Sequence, residues 1–263
     1  MSFEKITYEV EDDIAVIAFN DPKTMNAAGV DTVDEMSLAL EKAGDDARCT
    51  IITGNGRGFC SGANLSGNMG GGAKSERKPD AGRELDRLYN PFIKAIRMHP
   101  HPVITAVNGA AAGVGCSIAL AGDFIVAAES AYFLQAFRRI GLVPDGGSTY
   151  LLTRAIGRAR AMEMTLFGEK IPAAQALEWG LVSRVVDAEA LLPEAEALAA
   201  KIATMPPHAL RHAKNLMRQG RSMSYDGALE LAANTQALMH LTGDHMEGVD
   251  ALIEKRAPVF KGE

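Results

Sequence analysis

The sequence predicts a mixed α/β fold with a helical C-terminal third. Three features predict it: an alternating and then apolar stretch over residues 3–19, short β-branched runs up to residue 127, and amphipathic helical spacing from about residue 147 onward. Ile6, Tyr8 and Val10 alternate with polar residues, and Ile14, Val16, Ile17 and Phe19 follow. Glu11-Asp12-Asp13 lies between the halves as a hairpin turn, and Asn20-Asp21-Pro22 ends the second strand. From Val33 to Leu40 the apolar positions recur at helical spacing, with Asp31 or Thr32 expected as N-cap. Thr50–Thr53, Val103–Val107 and Phe124–Ala127 read as buried strands, and the small residues before the third suit a buried helix. Helical patterns then cover 148–156, 159–167, 189–203, 206–218 and 224–241, with Val182–Val186 as an interrupting strand.

Residues 66–83 differ from their surroundings. Gly67, Gly70, Gly71 and Gly72 precede Lys74, Glu76, Arg77, Lys78 and Asp80, which cannot build core. A surface loop is expected, either a connector or a lid over a site.

With 263 residues and 47% hydrophobic content, the chain can bury one sizeable core. A net charge of -6 argues against nucleic acid and against an anionic membrane surface as partners. An anionic small molecule remains open, because local cations or helix N-termini can receive it. Cys49, Cys60 and Cys116 are an odd set without CxxC spacing, so neither a disulfide framework nor a zinc site is expected. Charged residues come early and no apolar run has membrane-spanning length, so the expectation is a soluble cytoplasmic protein.

Several signals are set aside. His208 and His212 have zinc-compatible i,i+4 spacing but lack the Glu of HExxH and a third ligand, and read as surface histidines. Cys60-Ser61 has no assignable His and carboxylate partners and reads as a small-residue turn. Two glycine-rich segments are harder to dismiss. Gly58-Phe59-Cys60-Ser61-Gly62-Ala63-Asn64-Leu65 follows one buried strand, and Asn108-Gly109-Ala110-Ala111-Ala112-Gly113-Val114-Gly115-Cys116-Ser117 runs from another into a helix. Close packing explains either alone. Together they suggest backbone N–H groups and a helix dipole aimed at developing negative charge, as in an oxyanion hole.

The ordered motifs carry a resemblance across essentially the whole chain. Pro22-Lys23-Thr24-Met25-Asn26-Ala27, the two glycine segments, Gly122-Asp123, Gly141-Leu142-Val143-Pro144-Asp145-Gly146-Gly147, Ala174–Val182 and Lys255–Phe260 together resemble the crotonase (enoyl-CoA hydratase/isomerase) superfamily. The resemblance implies a ββα spiral core over residues 1–200 carrying an acyl-CoA site, and a helical oligomerisation region over 201–263 forming a homotrimer or hexamer. It implies that the N–H groups of Ala63 and Val114 hold the thioester oxygen. It also implies coenzyme A contacts at Lys23, Met25, Ala27, Ala63, Asn64, Leu65 and Gly113, with Phe260 and Lys261 as candidates for the nucleotide end. Coenzyme A enters as part of the substrate, with no separate cofactor and no metal.

Hydratases of the family set two glutamates around a water; the matching positions here are Ser117 and Phe137, neither a carboxylate. Asp145 is different. Its Pro-Asp-Gly-Gly setting resembles the enoyl-CoA isomerases of the phenylacetate-degradation type, and a double-bond shift needs only one base. Apolar neighbours (Phe137, Leu142, Phe133) would raise its pKa. Asp145 also suits a helix N-cap, which would make it structural. Three readings therefore stand: isomerase, hydratase or other crotonase-type enzyme using Asp145, and a catalytically silent acyl-CoA-binding assembly partner.

Overall fold

The computed structural model describes residues 3–64 and 80–263. Leu65 and most of the 66–83 loop lie outside the described residues.

The N-terminal hairpin forms as expected. Strands β1 (Ile6–Glu11) and β2 (Ile14–Phe19) pair antiparallel with Ile6 opposite Phe19, and both turn residues, Asp12 and Asp13, have positive φ. A two-residue turn of that shape matches the right-handed twist of the flanking strands, and Asp tolerates it. Helix α1 (Val30–Asp46) starts earlier than its apolar spacing suggests. Its N-cap is Gly29, not Asp31 or Thr32. The reason is tertiary: Ala28 is bridged to Ala63, so the chain is free to turn helical only after it.

From there each unit gives one strand to each of two sheets and then a helix. Strands β3 (Cys49–Gly54) and β4 (Gly58–Cys60) precede α2 (Ala81–Glu84), a π-helical turn over Leu85–Tyr89, and α3 (Asn90–Met98). Strands β5 (Val103–Val107) and β6 (Ala110–Ala112) precede α4 (Val114–Ala121). Strands β7 (Phe124–Ala128) and β8 (Tyr132–Leu134) precede α5 (Ser148–Ala155) and α6 (Gly157–Phe167). The larger sheet has the order β1-β2-β3-β5-β7-β10, with β10 at Arg184–Val186. The smaller has the order β4-β6-β8-β9, with β9 at Ile171–Pro172, just before α7 (Ala173–Glu178). Both are parallel except at β1 and β9. This is the expected ββα spiral.

Every residue of β3, β5 and β6 is buried, which is why those runs show no period-2 alternation. Helix α4 is buried along its whole length; its small residues let it sit between the sheets. Phe19 and Phe59 meet edge to face at 5.7 Å, joining the two sheets.

Helix α8 (Leu191–Ala203) lies over β3 and β5. Helices α9 (Pro207–Gly220), α10 (Tyr225–Met239) and α11 (Gly243–Glu254) follow. Neither α9 nor α10 has a buried residue, and Leu229, Leu238 and Leu241 are 52, 59 and 82% exposed, leaving an apolar stripe uncovered in a single chain. The tail folds back on this region: Asp244 accepts the Lys261 and Gly262 N–H groups, and His208 Nε2 lies 2.8 Å from the Gly262 carbonyl oxygen.

Candidate active site

Both glycine segments arrive at the same place. Helix α4 begins at Val114, whose N–H has no intrahelical acceptor. Its N-cap, Gly113, takes φ 54° and ψ −127°, a conformation that L side chains avoid, and donates its own N–H to Leu134 O at 2.9 Å. Ala63 follows a second glycine at positive φ, Gly62. Ala28 N donates to Gly62 O at 2.8 Å and Asn64 N donates to Ala28 O at 3.2 Å. These two bonds flank Ala63 in a parallel bridge, so its own N–H is turned to the opposite side. Neither Ala63 N–H nor Val114 N–H takes a hydrogen bond among the described residues.

The 24–28 segment is the scaffold for this arrangement. Ser61 N donates to Met25 O at 3.0 Å, and Ser61 Oγ to Thr24 O at 2.9 Å. Asn26, 1% exposed, donates to Gly58 O and Asn55 O at 2.7 and 3.0 Å. Met25 and Asn26 both have positive φ, which Asn adopts readily and Met does not. Lys23 is exposed on the turn before them, and Ala27 N is held by Thr24 Oγ1 at 3.2 Å.

Asp145 joins the site through its main chain. Its carbonyl oxygen accepts Ser117 Oγ at 3.0 Å and Ser148 Oγ at 2.9 Å. Ser117 is three residues into α4 from Val114, so the two share a helix face about one turn apart. Gly146 makes the approach possible: a Cβ there would lie 2.7 Å from Ser117 Cβ and 2.6 Å from Ile93 Cδ1. The carboxyl group itself is different. Its Oδ1 is buried with no hydrogen-bond partner among the described residues, and burial pushes its pKa up to about 6.

Helix capping is thereby removed as an explanation of Asp145. The N-cap of α5 is Gly147, and no side chain caps it. Phe133 and Phe137 are buried nearby in the chain, whereas Leu142 is about half exposed, its N–H on Phe137 O at 3.0 Å. Ser117 is wholly buried, its hydroxyl committed to the Asp145 carbonyl. The Cys60 thiol is pushed up to about 11 by burial, so it stays protonated.

Phe260 and Lys261 are not brought to this site. The Phe260 carbonyl accepts Arg48 Nη1 at 2.9 Å, at the entry to β3, whereas Lys23 follows the exit of β2. Six paired residues separate those ends, about 17 Å at strand rise.

Two contributors have roles that the sequence does not reveal. Asn26 appears there only within the Pro22–Ala27 motif, with no sign that its buried amide braces Gly58 and Asn55. Tyr89 precedes Asn-Pro at a helix start, and nothing local reveals that its hydroxyl donates to Ala28 O at 2.7 Å.

The chain matches the enoyl-CoA hydratase/isomerase family over residues 9–263. It is 39% identical to the 1,2-epoxyphenylacetyl-CoA isomerase of Escherichia coli (strain K12), over 99% of both chains. It is 41% identical to a probable enoyl-CoA hydratase of Rhodobacter capsulatus, over the full length of both. An enoyl-CoA hydratase structure from Bacillus anthracis superposes with a TM-score of 0.92 at 31% identity, covering 99% of this chain and 100% of that one. By its fold, its motifs and these relatives, this chain belongs to the enoyl-CoA hydratase/isomerase family, within the crotonase superfamily.

Proposed function

We propose that the protein shifts the double bond of an enoyl-CoA, with Asp145 as the single acid–base group and the Ala63 and Val114 N–H groups as the oxyanion hole. The observation that carries this is the buried Oδ1 of Asp145, without a hydrogen-bond partner among the described residues and with a carboxyl pKa near 6, on a residue whose main-chain carbonyl is held by Ser117 of α4. The thioester oxygen accepts both N–H groups. Asp145 takes the C2 proton of a 3-enoyl thioester, and the electron pair moves toward that oxygen to give a dienolate. The carboxylic acid so formed returns the proton at C4, the double bond becomes C2–C3, and Asp145 regains its charge. One group can serve both carbons because it never needs to cross the plane of the substrate.

Lys23, Met25, Ala27, Asn64, Leu65 and Gly113 would line the coenzyme A path, with Phe137 and Leu142 toward the acyl group. Phe260 and Lys261 could serve only the site of a second copy, given their position at the far end of the sheet. The uncovered stripe on α10 suits the trimer or hexamer such sharing needs.

Hydration is the second reading, since relatives named as hydratases occur beside the isomerase. Against it, the Ser117 hydroxyl is committed to a carbonyl and Phe137 offers no carboxylate. Purified protein given a 3-enoyl-CoA and a 2-enoyl-CoA decides between them. Isomer from the first without hydroxyacyl product from the second is expected; rapid hydroxyacyl formation would reverse the assignment. Acyl-CoA binding without turnover on either would favour the silent assembly partner.

A further inference from the structure

The Ala63 donor sits in a segment with no regular secondary structure, so its peptide plane must be fixed from behind. The two bonds to Ala28 do part of this, through Ala28 N and Ala28 O. The Ala28 carbonyl has a second lone pair, and Tyr89 fills it: its hydroxyl donates there at 2.7 Å. Tyr89 is 1% exposed and is the last residue of the π-helical turn that leads into α3. A π-turn widens the helix by one residue, and such turns recur at functional sites. The phenol remains protonated, because burial raises its pKa, as do the nearby Cys60, Asp145 and Glu84. A buried tyrosine hydroxyl takes some partner in any case; here that partner is the carbonyl that also accepts the Asn64 N–H beside the proposed donor.

We infer that Tyr89 is a positioning residue for the oxyanion hole, its hydroxyl fixing the Ala28 carbonyl and, through it, the direction of the Ala63 N–H. This rests on the proposed role of that N–H. The helical layer and the hole are then mechanically linked. A shift of the π-turn would change the alignment of the donor without touching the substrate.

The test is Tyr89→Phe, which keeps the ring in the core and removes only the hydroxyl, beside Tyr8→Phe, which removes an exposed Tyr8–Asp46 bond remote from the site. Three quantities are read: kcat and KM on a 3-enoyl-CoA, the absorbance shift of bound 4-(dimethylamino)cinnamoyl-CoA, and the thermal midpoint. Loss of one aligning hydrogen bond is expected to lower kcat about tenfold with KM changed less than about twofold. The red shift of the chromophore, which reports polarisation of its thioester carbonyl, should shrink in Tyr89→Phe and stay at the wild-type value in Tyr8→Phe. A Tyr89→Phe protein with a lowered midpoint but wild-type kcat and red shift would overturn the inference and make the hydroxyl merely structural. Wild-type protein that binds the chromophore without any shift would overturn the hole itself, and this inference with it.

Discussion

The backbones of Gly62 and Gly113 face each other: a Cβ built on Gly113 would lie 3.9 Å from the Cα of Gly62. Each glycine immediately precedes one of the two proposed donors, and each has positive φ. The pair therefore sets the direction of two peptide planes at once. A Cβ on Gly62 would lie 3.2 Å from the Ala112 carbonyl oxygen, so that side is also crowded.

Gly113→Ala should separate stability from catalysis. There is room for the methyl, but φ 54° with ψ −127° is a strained region for alanine, at a cost of about 1–3 kcal/mol. The chain can escape that cost by rotating the 113–114 peptide, which turns the Val114 N–H away. Turnover should then fall roughly 100-fold, the usual effect of losing one oxyanion donor, while the fold is retained. Circular dichroism and steady-state kinetics on the purified variant measure both. Near-wild-type turnover would remove Val114 from the hole.

Asp145→Asn should abolish turnover, since the amide cannot take the C2 proton. In wild type, kcat/KM should rise with pH and level off above about 6, where the carboxylate is formed. Stability follows the opposite course. The folded-state pKa is raised, so folding binds a proton more tightly than the unfolded chain does, and stability falls as pH rises from about 4 to 6. The asparagine variant lacks that loss and should be more stable than wild type at pH 8, by about 2 kcal/mol. Urea titrations at pH 4 and pH 8 provide the comparison. Equal pH dependence in both proteins would mean that the carboxyl is not buried in solution.

How far the sequence reveals this site depends on the range of the interactions. The hairpin, the buried runs of β3, β5 and β7, and the small-residue helix α4 are local patterns, and all form where their residues predict. The smaller sheet is silent: Ala110–Ala112 and Tyr132–Leu134 are three residues each, too short for any period. The start of α1 shifts to Val30 because the Ala28–Ala63 bridge acts over 35 positions of sequence. The two proposed donor positions are legible only through the family motifs, which fix their order along the chain. The capping alternative for Asp145 could be rejected only once Gly147 was seen at the α5 N-cap. Tyr89 and Asn26 act through long-range hydrogen bonds that leave no trace in spacing.

His99 should show its effect chiefly when Asp145 is removed. His99 is buried, with Nε2 3.1 Å from Leu40 O and Nδ1 3.1 Å from His101 O and 3.3 Å from the His101 N–H; burial outweighs the two carbonyl contacts and brings its pKa down to about 4. The unfolded chain binds that proton near pH 6.5, so this group's stabilisation is lost as pH falls from about 6.5 to 4. His101 is shifted the same way by burial. Asp145 has the opposite slope over most of that window, so the two partly cancel in wild type. In Asp145→Asn, stability should therefore fall more steeply on acidification, approaching 1.4 kcal/mol per pH unit for each histidine. His99→Asn in that background should flatten the curve again. An unchanged slope would mean that His99 is protonated in the folded protein.

The attachment of α9 to the core offers a separate prediction. Lys214 Nζ lies 2.5 Å from Asp123 Oδ2, with side chains 8% and 23% exposed, and the same oxygen accepts the Val103 N–H at 2.8 Å. Lys214 also donates to His101 O at 3.2 Å. Burial lowers the lysine pKa, and the aspartate beside it opposes that shift. Asp123→Asn would leave a largely buried ammonium without its counter-charge, which costs about 3 kcal/mol. Lys214→Met alone leaves the carboxylate with a backbone donor and should cost less. The double change Asp123→Asn/Lys214→Met should recover much of the loss, because desolvating the pair offsets most of its attraction. Thermal midpoints of the four proteins close a double-mutant cycle. If the double variant were as unstable as the sum of the singles, α9 would be held by packing, and the ion pair would contribute nothing of its own.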